Sequence, residues 1–344
     1  MGGPQVPAQQ PAQVPGLDLA RAGRLLVEAA DGRLTGELTA ELISGGRSNL
    51  TYLVRGETGS VVVRRPPLGL VLPSAHDMAR EYRVTAALST IGFPVAKPLL
   101  LCADEDVIGA PFYVMEHLDG TVLRGDALST VDSEAAARCG TRLVDTLLRL
   151  HSVDYAAIGL GDFGRPDGYL QRQVRRWHQQ WEASRTRELP LLESVTERLR
   201  DRLPASPRPG IVHGDYRLDN VMFEPGLGAI RAVMDWEMAT IGDPLADVGL
   251  LVVYTDSSTL RLIPSVPVGY PTGEQLARGY AEGSGIPLDR LDWYIAFGFF
   301  KLAVISEGIH ARYLRGKTVG EGFETFGPAV PVLVENADEA LRKG

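Results

Sequence analysis

The sequence predicts an α+β protein that is built in two parts. In the first third of the chain, short apolar runs are separated by Gly, Pro and Asn turn signals, which is typical of strands. From residue 133 onward the apolar residues follow mostly helical spacing. At 344 residues the chain is long enough for one large domain or two ordinary ones. We therefore expect a strand-rich part and a helical part, with a boundary at the Asp119-Gly120 turn.

The individual elements follow from local spacing and from turn signals. Residues 1–16 are rich in Pro, Gln and Ala and are predicted to be disordered. Before the boundary, helices are predicted at 17–30 and 76–91, and strands at 38–44, 51–55, 61–64, 95–101 and 112–115. After it, helices are predicted at 135–150, 169–185, 191–203, 244–254, 272–283, 291–315 and 331–341.

Composition and charge argue against several classes of protein. The net charge of −8 argues against a general nucleic-acid binder, which normally carries a basic face. Cys102 and Cys139 are too few for a disulfide framework and lack the spacing of a metal site, so a cytoplasmic protein is expected. We find no apolar run of about 18 residues and no signal pattern, so neither a membrane span nor an export signal is expected.

Polar and charged side chains are concentrated in the stretch 211–247, next to apolar runs that are typical of a buried region. Charged side chains are normally absent from such a region. Three short apolar runs there are predicted to be strands, and Asp215, Asn220 and Asp235 stand at their ends. Loops at strand ends hold polar groups on a rigid frame, so these oxygen-bearing side chains are expected to converge. Two carboxylates and an amide suit a hard cation such as Mg²⁺.

The spacing within this stretch also indicates a reaction. In phosphoryl transfer to an alcohol, a carboxylate accepts the hydroxyl proton, while an amide five residues later and a further Asp hold metal ions. On this interpretation Asp215 is the base, and Asn220 and Asp235 are the metal ligands. Capping of turns is the alternative role of such residues.

The segments HGDYRLDN and DWE resemble the catalytic loop and the metal-binding segment of the aminoglycoside phosphotransferase and choline kinase family, a relative of the protein kinases. The resemblance implies a two-lobed kinase-like fold with ATP and Mg²⁺. It implies an N-lobe with an antiparallel sheet over 17–118 that binds the nucleotide, and a mostly helical C-lobe over 119–344 that binds the acceptor. In this family pattern His213 belongs to the catalytic set, where we expect it to brace the loop, and Asp247 braces the same loop.

A second resemblance lies in GGRSNLTY, which is similar to the nucleotide loop of the family. It implies that Gly45 and Gly46 let backbone amides approach the triphosphate, with Ser48 and Asn49 in the same loop. A plain hairpin turn is the alternative, because paired glycines commonly do no more than that.

The strand ending in Arg64 takes the place of the family strand that ends in a phosphate-pairing lysine. Strand alternation puts Val62 and Arg64 on one face, so Val62 would line the adenine site and Arg64 would reach the phosphates. Arg65 would then point away. Glu81, on the next helix, would pair Arg64 as the family glutamate pairs its lysine. A planar guanidinium pairs phosphates bidentately, so the change need not abolish activity; a solvated basic pair is the alternative.

The segment FYVMEHL, just before the predicted boundary, resembles the hinge between the two lobes of the family. This resemblance implies that Met115 lies beside the adenine. It also implies that the backbone from Glu116 to Leu118 offers hydrogen bonds to the base.

Charged side chains also interrupt the apolar helix predicted at 291–315, namely Lys301, Glu307, His310 and Arg312. Scattered charges of this kind usually face solvent, and this is what we expect here. Contact with the acceptor substrate is the alternative.

The sequence therefore predicts a kinase that transfers the γ-phosphoryl group of ATP or GTP to the hydroxyl of a small molecule, without a nucleic-acid or membrane partner. An aminoglycoside would call for an acidic pocket that the sequence does not locate. The segment VVVRRPPLGLVLPSAHDMAREYRV resembles the branch of the family that is fused to acyl-CoA dehydrogenases, so a hydroxyacyl-CoA or another metabolite is an alternative acceptor. A catalytically silent nucleotide-binding module is the competing class: the intact Asp215, Asn220 and Asp235 argue against it, whereas the missing lysine favours it.

Overall fold

The structure is a computed structural model that describes residues 14–43, 49–68, 77–256, 265–316 and 322–343. The chain divides into two compact units, residues 1–119 and 120–344, which we call unit 1 and unit 2. Unit 1 contains an antiparallel sheet, and unit 2 is mostly helical. The predicted α+β class is confirmed. The assignment of nucleotide binding to one part and acceptor binding to the other stays a prediction.

Unit 1 is organised around one five-stranded sheet in the order β1-β2-β3-β5-β4, antiparallel at each pairing. Its strands are β1 (Thr39–Leu42), β2 (Leu50–Arg55), β3 (Ser60–Arg65), β4 (Pro98–Cys102) and β5 (Phe112–Glu116). Its helices are α1 (Leu19–Ala29), α2 (Met78–Thr90) and α3 (Glu105–Ile108). The sequence did not predict α3, because four residues are too few to show a helical period.

One face of the sheet in unit 1 is covered by α1. Asp18 caps this helix by accepting a hydrogen bond from the Ala20 amide at 2.9 Å, as acidic residues at helix starts commonly do. The apolar side of α1, including Ala22 and Leu26, packs in one core cluster with Tyr52 of β2. This core fixes the sheet from which the candidate nucleotide-binding side chains project.

The side chain of Arg65 does not lie in the environment that strand alternation led us to expect. Alternation along β3 does place it on the opposite face from Arg64, but this face is covered rather than solvated, and Arg65 is only 5% exposed. Its guanidinium Nη1 donates hydrogen bonds to the carbonyls of Gly16 at 2.7 Å and of Ile108 at 2.8 Å. The prediction that Arg65 points into solvent was therefore wrong, because local alternation does not show what packs on either face.

The same contacts change the expectation for the end of the predicted disordered tail. Residues 1–13 lie outside the described residues, but residues 14–16 pack against the sheet of unit 1. The Tyr52 hydroxyl donates to the Pro15 carbonyl at 2.7 Å, next to the Arg65 contact with Gly16. These carbonyls are ordered because buried side chains of the sheet supply their hydrogen bonds, which composition alone does not reveal.

Unit 2 contains seven described helices and four short strands. The helices are α4 (Ser133–Ser152), α5 (Tyr169–Ser184), α6 (Pro190–Asp201), α7 (Leu245–Asp256), α8 (Gly273–Ser284), α9 (Leu291–Leu314) and α10 (Phe326–Lys343). The strands are β6 (Gly210–Val212), β7 (Val221–Phe223), β8 (Ile230–Val233) and β9 (Thr240–Gly242). Strand β7 pairs with β8, and β6 pairs with β9. The sequence did not predict strand β9.

Helix α10 begins at Phe326, earlier than the predicted start at Pro331. A proline inside a helix removes one hydrogen bond to the carbonyl four residues earlier, which here belongs to Gly327. The Arg187 guanidinium donates to this carbonyl at 3.1 Å. A side chain from another part of unit 2 thus replaces the missing bond and lets the helix continue through the proline.

Helix α9 is the core helix of unit 2. By length and composition it could cross a membrane, with a mean hydropathy of 1.2 over its most apolar window, but 72% of that window is buried inside the protein. Two of its charged residues, Lys301 and Glu307, are buried as well, so the expectation that they face solvent was wrong. Glu307 accepts hydrogen bonds from the amide and hydroxyl of Thr186, at 2.6 and 2.7 Å, and so fixes the connection between α5 and α6.

Candidate functional site

The connection between β6 and β7 carries the candidate catalytic residues, and we call residues 213–220 the HGD loop. Its first turn depends on Gly214, whose φ is +84°. This left-handed conformation favours glycine, and a Cβ added here would lie 2.9 Å from the carbonyl oxygen of Met238. The chain therefore turns sharply just before Asp215.

The side chain of Asp247, near the start of α7, holds this turn by accepting hydrogen bonds from the backbone of the turn. The side chain is fully buried. Its Oδ2 accepts from the His213 amide at 2.7 Å, and its Oδ1 accepts from the Gly214 amide at 2.8 Å. His151 Nε2 lies 3.2 Å from the same Oδ2, and His151 Nδ1 forms a hydrogen bond with the Tyr280 hydroxyl at 2.8 Å.

These contacts set the charge state of Asp247. Burial acts to raise the pKa of its carboxyl group, but the interactions with His151 and the hydrogen bond from the Gly214 amide outweigh it. The net result is a pKa of Asp247 below its ordinary value. The two backbone hydrogen bonds support the bracing role that the family resemblance implied.

The Asp215 carboxylate is held from two sides. Its Oδ1 accepts from the Tyr254 hydroxyl of α7 at 2.5 Å, and its Oδ2 accepts from Asn220 Nδ2 at 2.8 Å. Asn220 Nδ2 also donates to the Asp215 carbonyl at 2.9 Å, which closes the HGD loop on itself. Burial raises the pKa of the Tyr254 hydroxyl, and the charge of Asp215 raises it further, so Tyr254 stays a proton donor to Asp215.

Arg217 adds a positive charge to the same cluster. Its Nε lies 3.0 Å from Asp219 Oδ1 and 3.5 Å from Asp215 Oδ2. Its guanidinium also stacks over the Tyr254 ring, 4.8 Å from the ring centroid. Burial acts to lower the pKa of Arg217, but Asp215, Tyr254 and Asp219 together raise it, so the group stays charged. Arg217 and Tyr254 are not among the site residues predicted from the sequence.

His213 is fully buried, and both of its ring nitrogens contact the backbone. Nδ1 accepts from the Asp215 amide at 3.2 Å, which leaves Nε2 as the donor to the Met234 carbonyl at 2.9 Å. The ring also packs against Trp236, with 4.7 Å between centroids. This arrangement is consistent with bracing of the HGD loop, and the role of His213 stays a prediction.

The candidate metal ligands lie at one end of the β7–β8 pair. Asn220 directly precedes β7, and its carbonyl accepts from the Met234 amide at 2.8 Å, one residue before Asp235. Asp235 follows β8 in a left-handed conformation, with φ of +65°. Because Asn220 Nδ2 is directed at Asp215, its Oδ1 is the atom that remains for a cation. An amide oxygen and a carboxylate are hard donors, so this pair fits Mg²⁺.

Unit 1 holds a second cluster around Glu81 of α2, which is 1% exposed. Arg64 Nε lies 2.9 Å from Glu81 Oε2, so the two form a largely buried ion pair rather than a solvated one. Asn49 Nδ2 donates to Glu81 Oε1 at 2.8 Å, and the Tyr113 hydroxyl donates to Oε2 at 3.3 Å. The glutamate thus fixes the guanidinium of Arg64 relative to Tyr113 of β5 and to Asn49, the residue before β2.

The other candidate nucleotide-binding residues lie along β3 and β5. Val62 is opposite Met115 in the β3–β5 pairing, on the same face of β3 as Arg64. Glu116 Oε1 accepts from the Lys97 amide at 2.9 Å, which ties the end of β5 to the residue before β4. Leu118 is half-buried just beyond β5. Three further candidates, Gly45, Gly46 and Ser48, lie outside the described residues.

Comparison with known sequences gives an independent result. Residues 39–294 match the model of the phosphotransferase enzyme family. Acyl-CoA dehydrogenase family member 10 of Mus musculus is 37% identical over 319 residues, which cover 90% of this chain and 30% of that protein. This chain thus spans less than a third of the length of that relative.

Solved structures are similar over nearly the whole chain. A Ralstonia eutropha protein assigned as an aminoglycoside phosphotransferase is 32% identical, with a TM-score of 0.80 and coverage of 95% of this chain and 98% of that chain. The GDP and kanamycin complex of APH(2″)-IIIa shares the fold, with a TM-score of 0.63 at 15% identity, and covers 94% of this chain and 99% of that chain.

Proposed function

Because this chain belongs to the phosphotransferase enzyme family, we propose that it transfers the γ-phosphoryl group of ATP to the hydroxyl of a small molecule. The predicted resemblances to the aminoglycoside phosphotransferases and to the branch fused to acyl-CoA dehydrogenases are both confirmed. The chain is accordingly a small-molecule phosphotransferase that acts on a hydroxyl group. The identity of the donor as ATP, the use of Mg²⁺, a cytoplasmic location and the acceptor are the proposal.

The observation that carries this proposal is the way Asp215 is held. Tyr254 and Asn220 fix both of its carboxylate oxygens, and Asp235 lies at the end of the neighbouring strand pair. Asp215 would orient the acceptor hydroxyl and accept its proton. Asn220 and Asp235 would hold Mg²⁺, which when bound neutralises charge on the phosphoryl oxygens. A catalytically silent module has no need for this arrangement, so we favour an active kinase.

The nucleotide would be bound by groups of unit 1. Arg64, fixed by its ion pair with Glu81, would pair the phosphates, and Val62 and Met115 would line the adenine. The backbone of residues 116–118 would hydrogen-bond the base. The same proposal includes Asn49 and the glycine loop around Gly45. Support comes from the similarity in fold to a protein whose structure contains GDP.

We predict that Arg64 and Arg65 affect different properties. Arg64→Ala should weaken Mg-ATP binding about 10- to 100-fold, the usual worth of a lost charged hydrogen bond, and reduce the ligand-induced rise in melting temperature. Arg65→Ala should preserve this rise but lower the melting temperature of the free protein by roughly 2–4 °C for each kcal/mol of stability lost, the factor for a chain of this size. Thermal scans with and without Mg-ATP measure both, and Arg64→Lys is the charge-preserving control. An unchanged ligand-induced shift in Arg64→Ala would remove Arg64 from nucleotide binding.

The cavity beside Arg217 and Tyr254 favours a hydroxyacyl-CoA over an aminoglycoside as the acceptor. Its described lining is mostly apolar or aromatic, namely Leu123, Leu218, Leu251, Tyr254, Val266 and Tyr270, with Arg217, Asp219, Thr255 and Ser265. Asp219 is the carboxylate of this described lining, and it is paired with Arg217. Such a wall suits an apolar chain better than a polycationic aminoglycoside. The cavity volume is only about 20 Å³, room for about one water, so an acyl chain requires other lining side chains, such as Leu123 or Val266, to move.

We therefore expect a hydroxyacyl-CoA to accept phosphate from ATP, and kanamycin to accept none. The test incubates the protein with γ-labelled ATP, Mg²⁺ and each candidate, and follows the transfer of label to the acceptor. The acyl-CoA that lacks the hydroxyl is the matched control for the acceptor, and Asp215→Asn is the control for the enzyme. Labelling of kanamycin without labelling of the hydroxyacyl-CoA would reverse the assignment.

A further inference from the structure

Lys301 is a buried lysine in the otherwise apolar core helix α9. It is 7% exposed, and its ammonium donates a hydrogen bond to the carbonyl oxygen of Gly214, in the HGD loop. The ammonium also lies over the ring of Trp177 of α5, 5.5 Å from the ring centroid. Residues 297, 301, 304 and 308 form one buried stripe of α9 at helical spacing, so the lysine stands where packing alone would call for an apolar residue.

The contact with Gly214 completes a clamp on one residue of the HGD loop. The Gly214 amide donates to Asp247 of α7, and the Gly214 carbonyl accepts from Lys301 of α9. The left-handed φ of this residue leaves its peptide groups in an orientation that other residues rarely adopt. Two helices thus fix the backbone immediately before Asp215, each through a charged group.

We propose that Lys301 is a positioning residue for phosphoryl transfer, which fixes the Gly214–Asp215 peptide so that the Asp215 carboxylate faces the acceptor hydroxyl. This proposal rests on the proposed function. A misplacement of about 1 Å in a reacting group can reduce the rate about 100-fold, so a rigid loop backbone has a direct effect on turnover. Lys301 is far from the base in sequence, 87 positions after Gly214, which explains why no local motif includes it.

The charge of Lys301 makes a purely structural role a poor explanation. Burial lowers the pKa of its ammonium below the ordinary value, and Arg176 lowers it further, although the negative charges of Asp215 and Asp247 act to raise it. A methionine would fill the same space without the desolvation cost of a buried charge. The benefit that offsets this cost is the hydrogen bond to the HGD loop.

The test compares Lys301→Met and Lys301→Arg with the wild-type full chain, using hydrolysis of Mg-ATP with water as the acceptor. In Lys301→Met we expect kcat to fall about 10- to 100-fold while KM for Mg-ATP stays within about twofold, because orientation and not binding is lost. Lys301→Arg should retain more activity, because it keeps a charged donor. The matched control is Glu307→Gln, which removes a buried charge from the same helix at a contact with Thr186 and should leave kcat unchanged.

A second measurement decides the clamp without any turnover. Hydrogen exchange should be about tenfold faster at the amides of residues 213–215 in Lys301→Met, with α10 unchanged, because only the loop loses a contact. Unchanged exchange at these amides would overturn the proposal, and so would a rise in KM as large as the fall in kcat. Equal effects in Glu307→Gln would also overturn it. Wild-type protein that neither binds nor hydrolyses Mg-ATP would instead refute the proposed function, and the exchange result would still show whether Lys301 fixes the loop.

Discussion

Asp215→Asn is expected to reduce turnover by about 100- to 10,000-fold, the usual contribution of a general base, with little change in the affinity for Mg-ATP. The amide keeps the shape of the carboxylate and can still accept from the Tyr254 hydroxyl. It loses the acceptor for Asn220 Nδ2, but Asn220 keeps its hydrogen bond to the backbone carbonyl of residue 215, so the HGD loop should remain folded. What it loses is the ability to accept the proton of the acceptor hydroxyl. Single-turnover kinetics with labelled ATP, together with nucleotide titration, separate these two effects.

Asp235→Asn is the comparison that gives this result its meaning. Asp235 is proposed to hold Mg²⁺, so the loss of its charge should weaken Mg-ATP binding as well as turnover. The two substitutions make the same chemical change at residues that lie close together in unit 2. An equal loss of nucleotide affinity in both would contradict the division of roles, and unchanged turnover in Asp215→Asn would exclude Asp215 as the base.

Much of the fold follows from periodicity, and the errors have a common cause. Helices such as α4, with 20 residues, repeat their apolar pattern several times, whereas β9 has three residues and offers no pattern. The error at Arg65 is of another kind. Alternation assigned it correctly to the other face of β3, but the segment that covers this face is distant in sequence, since Gly16 lies 49 positions before Arg65. A local pattern shows which residues share a face of a strand. Tertiary packing decides which of these faces is exposed to solvent.

In the candidate site as well, contacts between residues close in sequence were predictable, whereas contacts between distant residues were not. Asp215 and Asn220 are five residues apart and hydrogen-bond directly, so their relation is local and the spacing carries it. Tyr254 lies 39 residues beyond Asp215, on a helix whose apolar pattern does not distinguish a core tyrosine from one that holds a carboxylate. For Lys301 the sequence did contain a signal, namely a charge in the buried stripe of an apolar helix. It was interpreted by the frequency of exposed lysines, which says nothing about a particular position.

Asp247→Asn is expected to reduce the free energy of unfolding by about 3 kcal/mol, because one amide cannot replace the hydrogen bonds of this buried carboxylate. The carboxylate accepts from two backbone amides through two different oxygens, and His151 contacts one of these oxygens. An asparagine has one acceptor oxygen, so its NH₂ group would face either the His213 amide or the Gly214 amide. Activity should also fall, since the turn before Asp215 loses one of its two clamps.

The neighbouring Asp243 provides the matched control, because it is also a buried carboxylate but its charge is disfavoured. Burial raises its pKa despite hydrogen bonds from Tyr294 and the Leu245 amide, whereas the pKa of Asp247 is lowered. A lowered pKa contributes stability above the unfolded-state value of about 3.9, and this stability is lost as the pH falls through the folded-state value. Urea denaturation between pH 7 and pH 3 should therefore show that the free energy of unfolding falls less steeply with decreasing pH in Asp247→Asn than in wild type. At pH 7, Asp243→Asn should lose less stability than Asp247→Asn. Equal losses in the two variants at pH 7 would mean that burial, and not the three contacts of Asp247, determines the cost.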